Sequence, residues 1–275
     1  MTDQVKYTNK LKGVRVLVIG GSSDMHICQG AHTRPGIGFG VAEALVENGS
    51  VVIISSSNPD RVQKTIERLT TAYPSAKSRI SGHACNLGDQ ATVEDNIKDL
   101  FETVAKDEKL DHVVYTAGDA LAQMSITEID MPKLIKAGMV RFFAPLLVGK
   151  IAPAYLNAGP KSSIVLTTGS VSERPRPNWS AIGSFATGLQ GMCRGLALDL
   201  KPLRVNLVSP GAVDTELWNG MTEQQRSDLF KHMESHLATG RVGKVEDLAE
   251  AYLYLLKDEN ITGSMISSNG GHLIV

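Results

Sequence analysis

The sequence predicts an α/β fold in which a doubly wound parallel sheet of about seven strands carries helices on both faces. Short β-branched runs, typical of buried parallel strands, alternate along the chain with longer stretches of helical period. Right-handed crossovers between parallel strands place such helices on the two faces of one sheet. Because no Pro/Ser-rich linker and no fixed-period repeat divides the 275 residues, we expect a single domain over 1–275.

The predicted strands are short and apolar, and turn or helix signals separate them. After the first strand, Phe39–Asn48 carries its apolar residues on one side and meets Gly49, a residue type that commonly ends helices. Pro59 suits the first turn of the next helix. In chain order the predicted strands are Val14–Ile19, Val51–Ser55, Arg79–Ala84, His112–Tyr115, Ser163–Thr167, Arg204–Val208 and Ser264–Ser267.

Composition and charge favour a small-molecule partner. Lys and Arg number 28 against 29 acidic residues, so the net charge of -1 creates no field that would hold nucleic acid or an anionic membrane. The polar residues 1–12 lack the apolar stretch of a signal peptide, and the apolar runs are far shorter than a membrane span. Three cysteines without metal-site spacing are typical of free thiols in a reducing compartment. We therefore expect a cytoplasmic protein that binds neither nucleic acid nor membrane.

A glycine-rich turn joins the first strand to the first helix, and the insertion 24–35 interrupts it. Missing β-carbons allow the backbone to approach a pyrophosphate, while the helix N-terminus supplies N–H groups and positive potential. The insertion matches no zinc spacing, so we expect an exposed flap without a metal; an insertion that splays the turn and abolishes binding is the alternative. The residues expected at the pyrophosphate are Gly20, Ser22, Ser23, Gly36, Ile37 and Gly38.

Three further blocks follow in order: Tyr115–Gly118 after the fourth strand, Asn206–Gly211 after the sixth, and Asn269–Gly271 near the end. With them the chain resembles a short-chain dehydrogenase/reductase over nearly its whole length. The resemblance implies a single-domain Rossmann fold, a nicotinamide dinucleotide, a small-molecule substrate and a homo-oligomer, commonly a tetramer. It also implies cofactor contacts at Ala117, Gly118, Pro210, Gly211, Val213 and Thr215.

The residues after the second strand favour NADP(H) over NAD(H). Ser55, Ser56, Ser57 and Asn58 include no carboxylate that would bind a ribose 2′-hydroxyl and repel a 2′-phosphate. A guanidinium group pairs well with phosphate, and two are near in sequence. The candidates are Arg34, otherwise a solvated loop residue, and Arg61, otherwise a helix-surface charge; Asn86 and Leu87 stand where the family contacts adenine.

The family's proton-transfer residues are replaced in this sequence. Aligning the helix through Gly191–Ala197 places Ile182 at the family's general-acid tyrosine and Ala186 at its lysine, and neither side chain can transfer a proton. The family's asparagine position falls on Arg141. Its serine position falls on Gly169 without a gap, or on Ser170 if the following loop is one residue shorter.

Without a proton donor, ketone reduction is disfavoured, because the developing alkoxide needs an acid. An iminium ion is already cationic and accepts a hydride without one. The pattern resembles a fungal branch of the family that lacks the same tyrosine and lysine and includes the bifunctional reductase/Diels-Alderases of indole alkaloid assembly. That branch carries an arginine matching Arg141, but an aspartate three residues before its equivalent of Trp179, where this sequence has Arg176.

We therefore expect an NADPH-dependent reductase of an imine or iminium ion in secondary metabolism, with an associated cyclisation. A redox-silent cyclase or isomerase and an inactive binding protein are the alternatives. Residues 217–236 are typical of a substrate lid. Four catalytic candidates remain: Arg141, which orients a substrate oxygen or pairs with a carboxylate; Asp119, a replacement acid or a helix N-cap; Trp179, a flat substrate wall or a packing residue; and Ser170.

Overall fold

The computed structural model describes residues 5–22, 35–218 and 220–275. One parallel seven-stranded sheet runs through it in the order β3-β2-β1-β4-β5-β6-β7, which confirms the predicted doubly wound α/β fold. The strands are β1 (Arg15–Ile19), β2 (Val51–Ser56), β3 (Ile80–Ala84), β4 (His112–Tyr115), β5 (Ser163–Thr167), β6 (Arg204–Pro210) and β7 (Met265–Ser268).

Eight α-helices connect the strands within the described residues, together with short 3₁₀ turns and one π-helical turn, Met139–Phe143. The predicted stop at Gly49 is confirmed, because this glycine has a φ of +81° just after the first helix. Pro59 is the first residue of the second helix, as predicted. The helices are α1 (Ile37–Glu47), α2 (Pro59–Ala72), α3 (Val93–Val104), α4 (Met131–Gly138), α5 (Ala144–Ile151), α6 (Ser180–Asp199), α7 (Glu223–Glu234) and α8 (Val245–Lys257).

The strand predictions agree with the structure to within two residues at each end. The largest difference is at the end of β6, which continues past the predicted Val208 to Pro210. Its last two residues pair with Ser267 and Ser268 of β7, so the ladder extends into a Ser-Pro-Gly sequence that would by itself indicate a turn.

Apolar side chains fill the space on both sides of the sheet. On one side, α1 and α8 cover the strands with residues such as Val41, Leu45 and Leu253. On the other side, α3, α5 and α6 pack against the sheet, with Phe101 and Leu196 in that core. Two buried layers on a parallel sheet leave its strand ends as the accessible edges.

The strand order reverses between β1 and β4, and this place organises the candidate site. Ile19, at the end of β1, lies level with Ser55 of β2 and Tyr115 of β4. The chain leaves all three strands at the same edge. In open α/β sheets ligands bind outside the carboxyl ends of the strands at such a reversal.

Candidate active site

The glycine turn after β1 fits closely against the loop after β4. Gly20 has a φ of +92°, and a Cβ there would lie 2.3 Å from the main-chain nitrogen of Ala117. A Cβ on Gly38 would meet the carbonyl oxygen of Gly20 at 2.3 Å and Oγ1 of Thr116 at 2.4 Å. The missing β-carbons therefore let the first turn of α1 approach the strand ends, as a dinucleotide cradle requires.

The N-terminus of α1 lies beside this turn. Gly36 is the N-cap residue and supplies no side-chain cap to the first N–H groups of α1, which begin at Ile37. A carboxylate oxygen of Glu216 lies 2.7 Å from the place that a Cβ on Gly36 would take. Sequence reasoning missed this approach, because Glu216 follows β6, far from the glycine turn. Ser23, Arg34 and nearly all of the insertion lie outside the described residues.

The segment after β2 contributes both main-chain and side-chain contacts. The carbonyl oxygen of Ser55 accepts the N–H groups of Gly20 at 2.8 Å and Gly21 at 3.3 Å, while its side chain is fully buried. The hydroxyl of Ser22 donates to that of Ser56 at 2.7 Å, which joins the glycine turn to β2. Ser57 is exposed beside them.

Asn58 and Asn86 both use their side chains in local turns. Asn58 caps α2 by accepting the N–H groups of Asp60 and Arg61. The side-chain oxygen of Asn86 accepts the N–H of Gly88 at 3.0 Å, and this residue is exposed after β3. Leu87 is buried next to it.

Arg141 and Asp119 form a pair at the end of β4. Nε of Arg141 donates to Oδ1 of Asp119 at 3.1 Å, and Nη2 donates to the main-chain oxygen of the same residue. Burial lowers the pKa of the Arg141 guanidinium, although the charge of Asp119 opposes the shift. The structure therefore agrees with the alternative prediction, in which Arg141 pairs with a carboxylate at the sheet edge.

Asp119 does not cap a helix, so that interpretation is wrong. The segment after it stays irregular until the 3₁₀ turn at Ile126–Glu128, whose N-cap is Ser125.

Gly118 explains the position of the Arg141–Asp119 pair. A Cβ there would lie 2.8 Å from Cζ, Nη1 and Nη2 of Arg141 alike, which places the guanidinium face over the glycine.

The helix that follows β5 presents no acidic or basic proton carrier at the aligned positions. Ile182 is buried in the first turn of α6, and Ala186 follows one turn later, its carbonyl oxygen accepting the hydroxyl of Thr168. The 20 residues of α6 include neither Tyr nor Lys. Gly169 ends the loop from β5, and Ser170 is buried in the turn between β5 and α6.

The described tyrosines lie away from this edge or bond beneath it. Tyr115 donates its hydroxyl to the main-chain oxygen of Val140, and Tyr252 bonds to Thr167 inside the core. Burial raises the pKa of Tyr115 well above its usual value and keeps it a phenol. The others are tied to carboxylates or lie exposed: Tyr73 at Glu47, Tyr155 at Glu102, Tyr254 at Asp258, and Tyr7 at the surface.

Trp179 stands at the start of α6, at the rim of the strand edge. The guanidinium of Arg176 lies 5.3 Å from the centre of the indole ring, a cation–π contact. Asn178 before it has a φ of +63°, and its carbonyl oxygen accepts the N–H of Met124 from the loop after β4. The loops from β4 and β5 thus meet beside Trp179.

The segment after β6 leads into the predicted lid. A Cβ on Gly211 would lie 2.6 Å from the Cα of Asn269, so the Pro210-Gly211 turn packs on the end of β7. Val213 and Thr215 are buried. Within 217–236 the chain forms α7, and Arg226 of that helix pairs with Asp214 at 2.5 Å.

The described residues contain no group of three or more His, Cys, Asp and Glu that could hold a metal ion. The insertion's Asp24, His26, Cys28 and His32 lie outside that part of the chain. In the same described ranges, no helix is both long and apolar enough for a membrane crossing.

Comparisons with known proteins agree with this geometry. A family profile described as an SDR-like Rossmann domain matches residues 7–275. The short-chain dehydrogenase/reductase fsr5 of Gibberella fujikuroi is 45% identical over 271 residues, 98% of both chains. The solved MalC reductase/Diels-Alderase of Malbranchea aurantiaca is 35% identical with a TM-score of 0.89, covering 98% of this chain and all of that one. A small-chain dehydrogenase solved with NADPH is 25% identical with a TM-score of 0.73, covering 96% of this chain and 100% of its own.

Proposed function

Because the chain belongs to the short-chain dehydrogenase/reductase family, we propose that it is an NADPH-dependent reductase of an imine or iminium ion in secondary, alkaloid-type metabolism. The observation that carries this proposal is the composition of α6, the helix beside the candidate site. Ile182 and Ala186 stand where the family's tyrosine and lysine are expected, and no Tyr or Lys occurs elsewhere on the helix.

The glycine turn fits a dinucleotide, since β-carbons at Gly20 and Gly38 would clash with the neighbouring main chain and push α1 away from the strand ends. Ser22, Gly36 and the first N–H groups of α1 would hold the pyrophosphate, and Ser56 and Ser57 would face the adenosine ribose. When bound, the reduced nicotinamide supplies a hydride. The remaining proposed contacts are Ser23, Arg34, Ile37, Ser55, Asn58, Asn86, Leu87, Ala117, Gly118, Pro210, Gly211, Val213 and Thr215.

The preference for an iminium ion follows from proton balance. Adding a hydride to the iminium carbon forms a C–H bond and returns the C=N electron pair to nitrogen as a lone pair, which gives a neutral amine. A ketone would instead become an alkoxide and need a proton. Asp119 is a poor donor for that purpose, because Arg141 binds its carboxylate. The chain then contributes positioning rather than acid catalysis.

The residues after β2 give a test of the cofactor. The absence of a carboxylate at Ser55–Asn58 supports NADPH, and a fluorescence titration should show micromolar NADPH binding with weaker NADH binding. Ser56→Asp should weaken NADPH binding roughly tenfold and spare NADH, because the new carboxylate repels a 2′-phosphate. Ser81→Asp, at an exposed position of β3, is the control and should leave both affinities unchanged. If the unaltered protein binds neither NADPH nor NADH, the proposal is overturned and an inactive binding protein is favoured.

A cyclisation role is the second candidate, favoured by the similarity to a reductase/Diels-Alderase. Trp179, half-buried at the rim, would be the flat wall on which an aromatic substrate rests. Arg176 covers that ring in place of the expected aspartate, so a cation adjoins the wall. Product analysis separates the two roles: cyclised product without NADPH consumption would indicate a redox-silent cyclase.

A further inference from the structure

We propose that Tyr115 and Asp119 are positioning residues that fix Arg141 from two sides, Tyr115 through the main chain and Asp119 through the guanidinium. The inference rests on the proposed function, because Arg141 matters only if substrate reaches the end of β4. Tyr115 is the last residue of β4 and Asp119 lies in the loop directly after it, so the end of one strand sets the place of Arg141.

Tyr115 contacts a carbonyl group that the helix cannot satisfy. In the π-helical turn Met139–Phe143, the N–H of Ala144 donates five residues back to the oxygen of Met139. The next donor in that register would be residue 145, which is Pro145 and has no N–H. The carbonyl oxygen of Val140 therefore lacks its helical donor, and the hydroxyl of Tyr115 takes that place.

The phenol suits this position because it is a permanent donor. Tyr115 is 2% exposed and lies at the end of a central strand, where its ring is packed on all sides. A buried carbonyl group without a donor is unfavourable, so the hydroxyl stabilises the π turn against straightening. Since Arg141 directly follows Val140, the same bond fixes the direction in which the arginine leaves the helix.

Asp119 then orients the guanidinium itself. It engages Nε with its carboxylate and Nη2 with its main-chain oxygen, so two groups of the fork face one residue. The two side chains are 33% and 38% exposed, and a pair this exposed adds little to stability. Its effect is on orientation: within the described residues Nη1 donates no hydrogen bond, so this nitrogen is the donor left for a substrate oxygen.

The first experiment uses dinucleotide binding and the turnover of a cyclic imine, protonated to the iminium ion in solution, on the full chain. Tyr115→Phe and Asp119→Asn should each lower kcat roughly 10- to 100-fold, as expected for a displaced catalytic-site group, with the NADPH dissociation constant unchanged. The matched control is the double variant Tyr115→Phe with Pro145→Ala. The introduced alanine restores an N–H in the register of the Val140 carbonyl, so the double variant should recover most of the lost kcat. No recovery, together with unchanged kcat in Asp119→Asn, would overturn the proposal.

A second readout, the chemical modification of arginine, does not depend on imine reduction. Phenylglyoxal modifies accessible guanidinium groups, and mass spectrometry locates the modified arginines. Arg141 should react several-fold faster in Asp119→Asn and Tyr115→Phe than in the unaltered chain, whereas Arg176, held on Trp179, should not change. An unchanged rate at Arg141 in both variants overturns the positioning role. If the variants show faster phenylglyoxal modification of Arg141 but the protein reduces no imine, only the proposed function is contradicted.

Discussion

The Arg141 guanidinium brings a cationic side chain to the end of β4, where only a glycine leaves room for it. Desolvation there lowers its pKa below the usual arginine value, but the charge of Asp119 opposes the shift, so the group remains a charged donor at neutral pH. In the proposed reaction it would therefore act by orienting the substrate. A lysine at this position could not reproduce the planar fork that binds both the carboxylate and the main-chain oxygen of Asp119.

Arg141→Ala should spare NADPH affinity and reduce imine turnover roughly tenfold or more, because a substrate-orienting donor is lost while the glycine cradle is untouched. Arg141→Lys should recover little. Arg194→Ala, at an exposed position of α6, is the control and should match the unaltered protein. Steady-state kinetics with a fluorescence titration checks both quantities. A turnover rate in Arg141→Ala equal to that of the control would return Arg141 to a purely structural role.

The contact between the glycine turn and the loop after β4 limits the size of the side chains that the first turn of α1 can carry. Gly38→Ala places a Cβ 2.3 Å from the oxygen of Gly20, so α1 must shift away from the strand ends. We expect the NADPH dissociation constant to rise at least tenfold and the melting temperature to fall.

Gly191→Ala is the matched control on α6. Nothing lies within 4 Å of a Cβ at that position, so alanine should stabilise the helix by about 0.5–1 kcal/mol and leave NADPH affinity unchanged. Thermal unfolding and NADPH titration of both variants measure the difference. Equal NADPH affinity in the two variants would show that the turn does not hold the dinucleotide.

The elements themselves were largely predictable, because period and turn residues are local signals. Gly49 and Pro59 mark helix ends, and alternating runs mark strands. The π turn was not predictable in this way. It depends on the hydroxyl of Tyr115, which is distant in sequence and donates to the carbonyl oxygen of Val140, the group that Pro145 cannot serve because it has no N–H. The approach of Glu216 to Gly36 likewise depends on tertiary packing. The sequence neighbours of Asp119 favoured an N-cap, but a distant arginine decides its role.

For the whole molecule, a buried histidine couples stability to pH. His112 is 3% exposed, with Nδ1 2.9 Å from the hydroxyl of Ser163, and burial together with the charge of Arg204 lowers its pKa to about 3. An unfolded histidine titrates near 6.5. Below that pH the unfolded chain gains a proton that the folded chain does not bind. Stability should therefore fall as pH drops from about 6.5 towards 3.

Urea unfolding at pH 7 and pH 5 measures this dependence. The histidine contributes up to ~1.4 kcal/mol of lost stability per pH unit. His112→Gln should flatten the pH dependence by that amount, although the variant is less stable at pH 7. His83→Gln, at a partly exposed histidine paired with Asp99, serves as the control. Identical slopes in the His112 and His83 variants would contradict the assignment.

At the active edge we propose a dinucleotide cradle beside α6, a helix that offers no proton donor there. This proposal is tested most directly by following NADPH oxidation with a dihydroisoquinolinium ion and with α-tetralone, a ketone on the same bicyclic frame. We predict that NADPH is consumed in equal amount to the amine formed from the iminium ion, with no measurable reduction of the ketone. Ketone reduction at a comparable rate would contradict the account.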